Sequence, residues 1–298
     1  MSEQRWVRQS LRELAAALRR RGYPISKTTV GRLLSTLGYR LLANRPSLTG
    51  DPHPDRDQQF RYIARIRKLF LAPGYPVISV DAKKKELIGN FRNKGRTWRL
   101  EPELVNAHDF PDDALGRAVP YGIYDLVHNQ GYVYVGTSYD TPEFASYVIA
   151  LWWADPDRPR FECEDKLLIL CDAGGSNSYR FWAWKLQVQK QLADQFGIEV
   201  MICHYPTGAS KWNPIEHRLF SRISSNWAGK PLHNFETMLG YIRDTTTQTG
   251  LTVKAFLVER VFEKGRKVSA QERQSLNLVR RRICPNWNYV LRPRHLPG

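Results

Sequence analysis

The sequence predicts an α/β fold: a mixed five-stranded sheet with helices on both faces, preceded by a small helical region. Three observations predict it. Apolar runs of strand length recur from residue 76 onward. The second and third runs flank a tight turn, as in a hairpin, and the later runs alternate with helix-length segments. The resulting order is β-β-β-α-β-α-β-α, three antiparallel strands followed by two αβ units, which close into one mixed sheet.

Residues 1–45 read as a helix-turn-helix region. Leu11, Leu14, Ala15 and Leu18 recur at i, i+3, i+4, i+7, and Val30, Leu33, Leu34 and Leu37 repeat that spacing. Gly22-Tyr23-Pro24 makes the turn between them. Ser26 is placed to cap the second helix and Gly38 to end it. Lys27, Thr28, Thr29 and Arg32 fall on the outer face, short polar and basic groups suited to a DNA groove. An ordinary helical hairpin would carry the same pattern.

Residues 46–75 read as a linker and a basic helix. The stretch 43–57 holds three prolines and a glycine, and a basic amphipathic helix follows from about Asp57 to Leu71. Residues 76–230 form the expected core. Its elements are a strand at 76–82, a polar basic segment at 83–119, and a hairpin of Tyr121–Val127 and Tyr132–Thr137. A helix at 141–154, a strand at 167–172, a helix at 177–196, a strand at 198–203 and a helix at 214–227 complete it. Residues 231–298 read as a helical, basic extension.

Composition bounds the function. The chain has 298 residues, enough for one large domain and a small one, and 42% hydrophobic residues exclude global disorder. A net charge of +16 favours a polyanionic partner. Cys163, Cys171, Cys203 and Cys284 form no CxxC pair and no zinc spacing, which suits a reducing cytosol. No signal-peptide pattern and no apolar run near 18 residues is present, so no membrane partner is expected.

Three acids carry the chemistry. Asp81 ends the run Val77–Val80, Asp172 ends the run Leu167–Cys171, and Glu216 stands on the later helix. In an RNase H-like sheet the first and fourth strands are neighbours, which sets Asp81 beside Asp172. Two strand-end carboxylates and one helical carboxylate can hold two Mg²⁺ ions for phosphodiester chemistry. Each acid has a plainer reading. Asp81 can form a turn. Asp172 can open a strand-to-helix turn capped by Ser176 or Asn177. Asn213-Pro214-Ile215-Glu216 has the form of a capping box, with proline at its favoured position. Asp109, Asp125 and Asp140 compete; Asp125, inside the second strand, could point to the same site, whereas Asp109 and Asp140 suit local hydrogen bonds or caps.

Long stretches resemble the ISAzo13 family of bacterial insertion-sequence transposases. They are VISVDAKKKELIGNFRNKGRTW (77–98), VNAHDFPDDALGRAVPYGIYDL (105–126), LLILCDAGGSNSYR (167–180) and CHYPTGASKWNPIEHRLFS (203–221), together with residues 30–63, 250–269 and 287–294. The resemblance covers nearly the whole chain. It implies a DDE transposase that cuts element ends and joins the 3′-hydroxyl to target DNA by two-metal phosphoryl transfer. Asp81, Asp172 and Glu216 correspond to the acids that hold Mg²⁺ or Mn²⁺. The implied partners are double-stranded DNA and further copies of the chain, and the implied location is the bacterial cytoplasm at the nucleoid. The family pattern has DTKKKE and DGGGSN where this chain has Ala82 and Ala173; neither difference removes an acid. Family members usually carry more sequence before the helix-turn-helix, so a truncated, non-catalytic DNA-binding copy is an alternative, as is a stand-alone RNase H-like nuclease.

Basic residues frame the acids. Lys83, Lys84 and Lys85 follow Asp81 directly and suit DNA phosphates or a solvated charge run. Lys94, Arg96 and Arg99 surround Trp98, and Lys211-Trp212 precedes the Glu216 helix; both groups suit distorted DNA ends, with stacking as a contribution. His204 and His217 lie near the acids as structural or water-orienting groups.

Overall fold

The computed structural model describes residues 10–40 and 53–294. The chain divides into two units, residues 1–50 and 51–298. Most of the expected linker lies outside the described residues.

In the first unit, α1 (Leu11–Arg20) and α2 (Lys27–Thr36) match the two periodic stretches. Ser26 caps α2 by accepting from the Thr29 N–H at 3.1 Å, and Gly38 follows its end with φ +83°. Ala15 and Val30 are buried, while Lys27, Thr28 and Arg32 are exposed.

The second unit is built on a nine-stranded mixed sheet. Its strands are β1 (Val77–Ala82), β2 (Glu86–Ile88), β3 (Gly116–Asp125), β4 (Gln130–Gly136), β5 (Lys166–Cys171), β6 (Glu199–His204), β7 (Thr252–Val258), β8 (Leu278–Arg280) and β9 (Asn288–Leu291). The order is β7-β4-β3-β1-β5-β6-β9-β8, with β2 paired to β3. The inner five, β4-β3-β1-β5-β6, are the RNase H-like arrangement expected: β1 runs antiparallel to β3 and parallel to β5. The run Leu167–Cys171 is apolar throughout because β5 is covered on both faces.

Four further strands correct the five-strand expectation, and three of them lie in the segment expected to be helical. β7 adds in parallel to β4, and β9 and β8 extend the sheet beyond β6. Residues 252–258 and 288–291 bury alternate or all side chains against the core, a short-range signal that the basic composition of the tail obscures. Within this segment, α7 (Phe235–Arg243) and α8 (Ala270–Gln274) are the α-helices.

Helices cover both faces. α4 (Pro142–Ala154) and α5 (Trp182–Val188), the latter continued by a π-helical segment Gln189–Asp194, bury Trp152, Trp184 and Val188 against Ile78, Val80, Tyr121 and Ile169. Each such side chain contributes about 1.5–3 kcal/mol by leaving water. On the other face, α3 (Arg56–Leu71) packs Ile63 on Val77, Leu168 and Leu170. Beside it, Ile215, Leu219 and Phe220 pack on Tyr124 and Val133. They belong to a helix whose π-helical part, Glu216–Phe220, runs into α6 (Ser221–Asn226).

Asp125 does not point to the acid site. It pairs with Ile78, at the opposite end of β1 from Asp81, which pairs with Gly122. Its oxygens accept from the backbone N–H groups of Val127 and His128 and meet His128 Nδ1 at 2.7 Å, closing the β3–β4 hairpin.

Candidate active site

The parallel pairing of β1 and β5 brings two acids together. Val80 faces Cys171 in the last paired rung, so Asp81 and Asp172 stand one residue further on, on strands about 4.8 Å apart. Alternation along β1 puts Ser79 on the same face as Asp81.

That face receives the Glu216 helix through a buried polar joint. Ser79 Oγ accepts from the Ile215 N–H at 3.1 Å and is hydrogen-bonded to Asn213 Oδ1. Asn213 Nδ2 in turn lies 3.1 Å from Asp172 Oδ1 and 3.3 Å from the Val80 carbonyl, donating to both. Ser79 and Asn213 are both fully buried, and their polar atoms satisfy one another rather than water. Gly122 lies under the joint: a Cβ there would meet Phe220 at 2.5 Å and Ile215 at 2.8 Å. The absence of a side chain lets the helix seat on the sheet.

This joint corrects the capping-box expectation. Asn213 turns its side chain toward Asp172 and Val80, and the leading N–H of the helix is taken by a hydroxyl from β1. Glu216 is thereby left to face the site. The cap expected from Ser176 or Asn177 is also absent: Asn177 Oδ1 accepts from Tyr121 OH at 2.8 Å, and Phe181, the residue before α5, offers no side-chain cap. Gly175 takes φ +68°, and both Gly174 and Gly175 face open space.

The acids feel one another. The Asp81 carboxyl is pushed up to about 8, first by burial, then by Asp172, with Glu216 and Asp140 adding; the Ala82 N–H, donating at 2.7 Å, works the other way. Burial pushes Asp172 up to about 6, with Glu216 adding and the Asn213 donor opposing. Behind them, His204 is wholly buried and its ring lies 2.9 Å from the Asp172 carbonyl and 3.0 Å from Tyr289 OH on β9. Burial lowers His204 to about 3, so the ring is neutral and structural.

A cavity of about 690 Å³ opens in front of Asp81, lined also by Lys84, Lys85, Arg92, Arg117 and Asp140. A second, of about 280 Å³, shares the Ala82–Lys84 wall and is lined by Glu216 and Ser221. Among the described residues no group of three or more His, Cys, Asp or Glu side chains is placed to hold a metal ion. Mg²⁺ characteristically takes one or two carboxylates and fills its shell with water and substrate phosphate, so open carboxylates beside a groove fit that ion. The donor set is all oxygen, and buried, mutually repelling carboxylates are relieved by a divalent cation.

The expected DNA-facing residues separate. Lys84, Lys85, Lys94, Arg96 and Lys211 are exposed. Lys83 faces inward, its ammonium 4.7 Å from the Trp227 ring centroid and 3.5 Å from Glu86. Trp212 is half exposed and sets its edge on Phe60 of α3 at 6.0 Å. Trp98 is wholly exposed. His217 bonds the Lys211 carbonyl. Ser79 is a further site residue, and its place two residues before Asp81 makes it detectable by alternation. Asp140, a competing acid expected to make local hydrogen bonds or caps, instead lines the groove with a buried Oδ1 that meets no partner among the described residues.

Solved structures similar to this chain are complexes of the Mos1 transposase. The paired-end complex with the left transposon end has 16% identity and a TM-score of 0.45, the complex with Mn 17% and 0.45, and the complex with Mg 12% and 0.45. In each, the match covers 78% of this chain and 65% of the Mos1 chain. No curated protein matches the sequence. Among the described residues no helix is long and apolar enough to cross a membrane. The model of the Rhodopirellula transposase DDE domain matches residues 1–293, so the chain belongs to that family of transposase DDE domains.

Proposed function

We propose that the chain is the catalytic protein of an insertion sequence, cutting element ends and joining the freed 3′-hydroxyl to target DNA. The observation that carries this reading is the Ser79–Asn213 joint, which binds the Glu216 helix to the strands bearing Asp81 and Asp172. Asp81, Asp172 and Glu216 would hold two Mg²⁺ or Mn²⁺ ions, which supply neutralisation of phosphate charge and a lowered pKa for the attacking hydroxyl. The chain's own residues set the geometry. Asn213 fixes one oxygen of Asp172, leaving the other for a ligand. Lys84, Lys85, Arg92 and Arg117 line the groove and neutralise the DNA backbone on either side of the scissile phosphate. In each step a hydroxyl oxygen, from water or a DNA 3′ end, attacks phosphorus while the opposite 3′-oxygen departs in line. No side chain forms a covalent intermediate.

The partners on this reading are double-stranded DNA and further copies of the chain, in the bacterial cytoplasm at the nucleoid. The exposed Lys27, Thr28 and Arg32 of α2 serve end recognition. The test is strand transfer: a labelled duplex of element end, supercoiled plasmid and Mg²⁺ or Mn²⁺. Joined product is expected from the wild type and not from Asp81→Asn, Asp172→Asn or Glu216→Gln. Tight binding with neither nicking nor joining would establish a non-catalytic DNA-binding copy. Cutting of RNA–DNA hybrid without joining would establish a stand-alone nuclease.

A further inference from the structure

Helix α3 carries Arg56, Arg61, Arg65, Arg67 and Lys68 against a single acid, Asp57. The turn after β8 carries Arg281 and Arg282. The two elements face each other across a recess of about 510 Å³ lined by Asp57, Arg61, Tyr62, Arg65 and Ile283. Arg243, Arg260, Arg292 and Arg294 each meet a carboxylate. Among the described residues, Arg61, Arg65, Arg67, Arg281 and Arg282 meet none. The Nε–H donors of Arg67 and Arg281 are buried and reach no acceptor.

An unpaired cluster of this kind costs self-repulsion and leaves guanidinium forks free. The forks suit phosphate, which accepts two parallel N–H bonds from each. The cluster also connects to the acid site. Arg56 lies 5.7 Å from the Phe60 ring centroid, and Phe60 meets Trp212, four residues before Glu216. From Arg56 to Lys68 the helix extends about 18 Å, roughly five base-pair steps of duplex at about 3.4 Å each.

We propose that α3 and the β8–β9 turn form a second duplex-DNA surface, gripping the phosphate backbone beside the acid site and independently of the α1–α2 unit. The inference rests on the reading that the acids act on DNA. Its test does not need cleavage. Binding of the full chain to a duplex of about 30 base pairs is followed by fluorescence anisotropy across 50–200 mM KCl, without divalent cation. The combined exposed changes Arg61→Gln, Arg65→Gln and Arg282→Gln should lower the slope of log K against log salt by up to about 2.7, at about 0.9 per lost phosphate contact. Far-UV circular dichroism should be unchanged and the melting temperature should not fall, since self-repulsion is relieved, and the three Arg→Lys changes should restore most of the slope. A triple Gln variant with the wild-type slope would overturn the proposal, as would single-stranded RNA displacing the duplex better than duplex itself. The slope is read without divalent cation, so a chain that binds duplex through these arginines yet joins no DNA ends would fail the cleavage reading alone.

Discussion

Asp81 and Asp125 lie near opposite ends of the β1–β3 pair, and the sheet treats them oppositely. Asp125 is completely buried, yet two backbone N–H groups and the His128 ring meet its oxygens. Asp81 is partly open to the groove, yet among the described residues its one donor is the Ala82 N–H, and its neighbours are Asp172, Glu216 and Asp140. Burial alone does not mark a functional carboxylate. A buried acid with its lone pairs filled is a structural brace, and a less buried one facing other acids is a site that wants a cation.

The largest losses are expected at the acid end. Glu216→Gln, Asp81→Asn and Asp172→Asn are each expected to cut strand transfer by roughly a hundredfold or more, since each removes several kcal/mol of transition-state charge stabilisation. Circular dichroism should show the fold retained. For Glu216→Gln the retained fold is the informative half, because the helix start is held by Ser79 and not by a Glu216 cap. At the other end, Asp125→Ala leaves two part-buried N–H donors without their acceptor and should cost about 1–2 kcal/mol of unfolding free energy in urea. Its activity per folded molecule should stay near wild type.

A smaller effect sharpens the contrast. Asn213→Ala removes the donor to Asp172 and the bridge to Ser79, and outer-shell losses of this kind cost about tenfold or more in metal affinity. Mn²⁺ titration followed by calorimetry should register that loss. A Ser79→Ala variant, which leaves the Asn213–Asp172 bond available, should lose less affinity and more stability.

The smallest expected effect is a pH signature in the metal-free protein. Asp81 is raised from the ordinary carboxylate range to about 8, so the cost of its ionisation is absent below about pH 4 and grows as pH rises to 8. Asp81→Asn should therefore match the wild type near pH 4 and melt higher at pH 8, by about 2–4 °C for each kcal/mol relieved. Metal binding by the wild type should strengthen over the interval from about 6 to about 8, as Asp172 and then Asp81 give up protons. A difference between the two proteins independent of pH would contradict a raised Asp81 carboxyl.

Much of this was legible in the chain. The runs ending at Asp81 and Asp172 are strand-length, apolar and punctuated by acid and glycine, so the parallel β1–β5 pair and its two carboxylates follow from pattern and connection rules. The α2 cap at Ser26 and the hairpin at His128-Asn129 were equally local. The helix over 177–196 was misjudged at its start, because residues 173–181 spend their polar groups on Tyr121 and the Ala173 carbonyl rather than on a helical turn. What stayed hidden was long-range. Ser79 meets Ile215 across 136 positions, and Asn213 looked like a cap because its local pattern fits one. β8 and β9 stayed hidden because three- and four-residue strands in an arginine-rich tail leave too little periodicity to read.

The central claim is that Asp81, Asp172 and Glu216 serve one divalent-cation site. Mn²⁺ binding to the DNA-bound protein, measured for the wild type and the three single variants, tests it most directly. Saturable binding weakened in all three variants is the expected result. A Glu216→Gln protein that binds Mn²⁺ as the wild type does, and joins DNA ends as well, would show that the helix carboxylate lies outside the site.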